Sequence, residues 1–101
     1  HNEEIRTRRA AIGKDLLSLV RKYNEETENK ETWVNTYELT FVLNAYEGRE
    51  ISFGSKSVRK SLDSVLDTIT NFGGEKYLPA VDGIKNRLII EDNAEKQEKK
   101  N

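Results

Sequence analysis

At 101 residues the chain has room for one domain, and such a domain can bury a core without staples. It has no cysteine, which excludes disulfides and thiolate metal sites. No apolar run nears the roughly 20 residues of a membrane span and no signal-peptide pattern opens the chain, so a cytoplasmic protein without membrane contact is expected.

Charge is dense but balanced, 17 Lys+Arg against 18 Asp+Glu, for a net charge of −1. Phosphate neutralisation drives most non-specific DNA affinity, so this balance argues against a simple polybasic binder. It leaves DNA open, because local distribution matters more than the sum. No segment along the chain is strongly basic, and a DNA-binding face would have to be assembled by the fold.

Residues 3–24 read as a first helix: Ile5, Ile12, Leu16, Leu19, Val20 and Tyr23 recur at helical spacing. Glu3 and Glu4 suit its positive N-terminal end. Ala10, Ala11 and Gly13 would let another backbone approach, either inside the monomer or across a dimer interface. Residues 24–32 are polar and without period, a loop. Asn35 with Glu38 forms a capping box, and Val34 with Leu39 a hydrophobic staple. A second helix follows on Leu39, Val42, Leu43 and Tyr46, and Gly48 ends it; a strand over residues 39–43 is the rival reading. Residues 50–53 alternate and fit a short strand.

A third helix is expected from about Ser55 to Phe72, with Val58, Leu62, Val65, Leu66, Ile69 and Phe72 in one stripe and Gly73-Gly74 as a left-handed C-cap. Residues 76–81 and 85–91 read as strands joined by an Asp82-Gly83 turn. Pro79 would confine its strand to an edge or a bulge. Residues 92–101 read as a polar tail.

Helix, helix, short strand, helix, β-ribbon is an order that resembles the winged helix-turn-helix superfamily over residues 3–91, an α+β fold with a C-terminal β-hairpin wing. The most telling stretch is Ser57-Val58-Arg59-Lys60-Ser61-Leu62-Asp63-Ser64-Val65-Leu66, then Gly73-Gly74 and the hairpin. The pattern departs from the family between the second and third helices. About eight residues, Glu47 to Gly54, stand where a turn of 3–4 is usual.

The resemblance implies sequence-specific binding of double-stranded DNA. The layout is also similar to that of small accessory proteins of clostridial conjugative plasmids, which would imply binding at a plasmid origin of transfer alongside other conjugation proteins. Transcriptional repression is the alternative job. A dimer through the first helix is expected, because one small module with mild charge has limited affinity for DNA.

Two patches carry the expected DNA contacts. One is the wing, with Lys85, Asn86 and Arg87 beside the turn and Lys76 on the facing strand; Arg and Asn there can read guanine and adenine edges. The other is the start of the third helix, Lys56, Ser57, Arg59 and Lys60, where family members reach bases. Asp63 and Asp67 follow on the exposed side and would repel phosphate. A third patch, Arg6, Arg8 and Arg9, fits ion pairing with nearby acids better than DNA. Trp33 reads as a core or interface anchor, and Tyr77 as packing under the wing.

Catalysis is not expected. The one histidine is His1, so nucleophile–base pairs and zinc sets lack their members. Asp63 and Asp67 share a helix face but suit solvation better than metal binding, and no phosphate-binding glycine loop or cofactor motif is present. The competing function is a protein–protein module without DNA, or a small helical immunity-type protein. The net charge of −1 and the acidic residues 30–52 favour that reading.

Overall fold

The computed structural model describes residues 2–47 and 54–100, with side chains described over residues 3–47 and 54–93. Four helices make up the fold: α1 (Asn2–Glu26), α2 (Thr36–Tyr46), α3 (Lys56–Gly73) and α4 (Leu78–Lys100). Short 3-10 turns precede α2 (Lys30–Thr32) and α4 (Glu75–Tyr77).

The expected α+β fold is therefore corrected. No strand is present among the described residues, and residues 76–81 and 85–91 form a 3-10 turn and a helix instead of a β-hairpin wing. Tyr77, Val81, Ile84, Leu88 and Glu91 are all buried at steps of four, three, four and three residues, the stripe of a helix against a core. Gly83, read as half of a turn, lies on the outer face of α4, with a negative φ like every described residue but Gly74. A glycine inside a helix costs about 1 kcal/mol. Each fully buried aliphatic side chain returns about 1.5–3 kcal/mol, so the stripe outweighs the turn signal. Pro79 sits in the first turn of α4, where its missing N–H costs no hydrogen bond. The helix continues to Lys100, through residues read from sequence as a tail. The proposed strand at 50–53 lies outside the described residues.

Helices α1 to α3 form where their sequence signals stand. Ile5, Ile12, Leu16, Leu19, Val20 and Tyr23 are the buried stripe of α1. The chain then turns on side chains: Tyr23 donates its hydroxyl to the Thr32 carbonyl at 2.6 Å, and Val34 N–H donates to Asn24 Oδ1 at 3.1 Å. Trp33 is not core; its indole N–H donates to the Thr27 carbonyl at 2.8 Å and closes the loop from outside. Asn35 Oδ1 accepts from the N–H groups of Tyr37 and Glu38, starting α2. Ser55 Oγ accepts from Val58 N–H and starts α3. Gly74 ends α3 with a φ of 81°, a backbone position that favours glycine.

The connections make an antiparallel ring. Gly13, at the middle of the long α1, closes on Leu43 and Tyr46 at the end of α2; a Cβ there would lie 3.3 Å from Tyr46 Cβ. That glycine serves packing inside the monomer. Gly73, at the end of α3, abuts Tyr77 and Tyr23. Helix α4 runs back beside both α1 and α3, so that its end meets their beginnings. The result is an up-down-up-down four-helix bundle.

Candidate functional site

The ring brings three ion pairs onto α4. Arg8 of α1 donates to both oxygens of Glu91, at 2.7 and 3.4 Å. Arg87 of α4 binds Asp15 of α1, and Arg59 of α3 binds Asp92 of α4. Glu91 is 1% exposed, the one buried charged side chain among the described residues. Burial pushes the neighbouring Tyr46 phenol above the ordinary tyrosine range, with the charges of Arg59 and Asp92 acting in opposite directions on it.

A second polar cluster closes the other end of the bundle. Glu26 accepts from the Tyr77 hydroxyl at 2.7 Å and pairs with Lys76 at 3.0 Å, while Tyr77 meets Tyr23 edge-on. The hydrogen bond from Tyr77, then that from Lys76, holds the Glu26 carboxyl below its ordinary value. Lys76 is raised by Glu26, and Tyr77 is raised first by burial and then by Glu26.

These contacts decide what becomes of the eight residues expected to touch DNA. Lys76, Arg59 and Arg87 are each paired with a carboxylate of the same chain. Lys85 and Asn86 are exposed on α4, and Lys56, Ser57 and Lys60 are exposed at the start of α3. Lys76 stands at the end of the bundle opposite Lys56, since α3 and α4 run antiparallel. Lys76 and Lys56 therefore do not share one basic face. Arg8, from the third patch, takes the ion pairing expected of it, with Glu91 as its partner.

What the fold exposes instead is an outer face on α4. Helical phase places Pro79, Asp82, Asn86, Ile89, Ile90 and Asn93 opposite the buried stripe. Asp82 is the lone charge there, in a chain where 35% of residues are charged. Ile89 and Ile90 are 57% and 62% exposed. A cleft of about 190 Å³ between α1 and α4 is lined by Ala11, Ile12 and Ile90 together with Arg8, Arg87 and Glu91. Sequence reasoning assigned residues 89 and 90 to a strand and so missed this face. The signal available was two isoleucines falling outside the Val81–Ile84–Leu88 helical stripe.

A second exposed feature is a shallow furrow along α3 from Gly54 to Phe72, which includes Lys56, Lys60, Asp63, Asp67 and Asn71. Among the described residues no group of three or more His, Cys, Asp or Glu is placed to hold a metal ion. No described helix is long and apolar enough to cross a membrane. No family model matches the chain, and neither a curated protein nor a solved structure is similar to it.

Proposed function

We propose that the protein is a helical protein-binding module that recognises a partner protein through the outer face of α4. The observation that carries this reading is the exposed pair Ile89 and Ile90 on a face with one charge, beside a cleft lined in part by Ala11 and Ile12. Exposed apolar residues grouped on a polar surface are characteristic of interaction sites. The charged lining of that cleft is pre-organised, because Arg8 and Arg87 are already held by Glu91 and Asp15. A partner that lays an apolar side chain beside Ile90 would find a satisfied polar border and no charge to desolvate in the centre.

The DNA reading loses the wing on which it mainly rested, and three of its cations are engaged inside the chain. The test runs both readings together. The native chain and the Ile89→Asp/Ile90→Asp variant are compared for capture of a partner from their source cells, then for binding to that partner reconstituted pure. Both proteins are also titrated by fluorescence anisotropy against origin-of-transfer and promoter duplexes, with unrelated duplex as competitor. A purified partner that binds the native chain and not the variant supports the proposal. Tight duplex binding that resists competitor and survives the isoleucine changes would replace it with DNA recognition.

A further inference from the structure

The solvent side of α3 carries an unusual order of charge. Lys56, Lys60, Asp63 and Asp67 follow at steps of four, three and four residues. At 100° per residue they fall within about 60° of arc, one stripe about 16 Å long. All four are exposed, and none makes a side-chain hydrogen bond or ion pair with another described residue. By contrast, Arg59, on the flank of the same helix, is bonded to Asp92.

Inside a single helix this order gains little. Neighbours four residues apart carry like charge, Lys56 beside Lys60 and Asp63 beside Asp67, and only Lys60 and Asp63, three apart, are opposite within the stripe. The order makes sense between two helices. It reads plus, plus, minus, minus with symmetric spacing, so reversing direction also reverses sign at every position. We propose that this face of α3 docks on the same face of a second copy of the chain, antiparallel, about a two-fold axis between Ser61 and Leu62.

In that register Lys56 faces Asp67 of the other copy and Lys60 faces its Asp63, and the axis repeats both pairs. An isologous contact of this kind satisfies four carboxylate–ammonium pairs with one patch. A parallel arrangement would place lysine against lysine and aspartate against aspartate, so the charges select direction as well as partner.

The expected association is weak and salt-sensitive, because the pairs are exposed and the Debye length shrinks from about 30 Å at 0.01 M to about 3 Å at 1 M. Sedimentation of the full chain over a concentration series, at low and high salt, reads it directly. Two variants make the test specific: Lys56→Glu/Lys60→Glu, and Asp63→Lys/Asp67→Lys, each checked for helix content. Each alone is expected to self-associate at least about tenfold more weakly than the native chain. Mixed in equal amounts they are expected to form a heterodimer, since all four pairs are then opposite in sign, two with the charges exchanged and two as in the native chain. A native chain that stays monomeric near millimolar concentration at low salt overturns the proposal. So does a dimer that persists in both variants, or a mixture that fails to associate.

Discussion

A carboxylate withdrawn from water keeps its charge only if a cation follows it, and Arg8 follows Glu91. The pair is lopsided: the Arg8 side chain is nearly half exposed, whereas Glu91 is sealed in the α4 stripe. Removing either partner is therefore not equivalent. Arg8→Ala leaves a buried charge uncompensated and is expected to cost about 3 kcal/mol. Glu91→Leu extends the run of Val81, Ile84 and Leu88, frees Arg8 to turn to water, and is expected to cost clearly less or to stabilise. Urea unfolding of both variants checks the asymmetry; equal losses would contradict it. None of this was legible locally. Arg8, Arg59 and Arg87 are visible in the sequence as cations, but their partners stand 83, 33 and 72 residues away. A reading by neighbourhood leaves Arg59 and Arg87 free for phosphate and gives Arg8 the wrong acids.

At the scale of the element, α1, α2 and α3 were legible because each has both a stripe and a start signal. Asn35 caps where it was expected to cap, and Ser55, read only as the approximate start of α3, caps it. Helix α4 was not, because Pro79 and Asp82-Gly83 are strong local turn signals and Glu91 interrupts an otherwise apolar stripe. The face that carries the proposed function vanished with it. Two glycines now report on this element in opposite directions. Gly83→Ala adds a methyl with nothing within 4 Å, inside a helix, and is expected to stabilise by about 1 kcal/mol. In an Asp-Gly hairpin turn, which needs a positive φ, the same change would destabilise. Gly73→Ala would set a Cβ 2.5 Å from Tyr77 Cδ2 and is expected to cost about 1–3 kcal/mol by overpacking. Thermal melts of the two variants, read together, distinguish a helix from a wing.

For the molecule as a whole, the shifted groups define a pH window of stability. Glu26 is held below its ordinary value of 4.5, so its contribution is full above that pH and is lost as pH falls through the lower folded value. Tyr46 and Tyr77 are raised above 10.0, so the folded chain keeps protons that the unfolded chain releases. Their contribution is full below pH 10 and is lost as pH rises through the folded values. Lys76, raised from 10.5, acts in the same direction. The melting temperature is expected to hold between pH 5 and 9 and to fall above pH 10, with Tyr46→Phe flattening the alkaline slope. A melting temperature unchanged between pH 8 and 11 would show that burial of these phenols does not govern the limb.

The antiparallel ring also sets an order of events in time. Neighbours along the chain pair across short connections, so α1 with α2 and α2 with α3 can meet early, at little entropic cost of loop closure. Docking α4 on α1 instead closes nearly the entire chain, and its clasps, Arg8–Glu91 and Asp15–Arg87, form across the longest loops in the molecule. The seam between first and last helix is thus the last to zip and the first to part. Arg8→Ala should accelerate unfolding while leaving the refolding rate nearly unchanged, and the face that carries Ile89 and Ile90 should be the first that the protein surrenders.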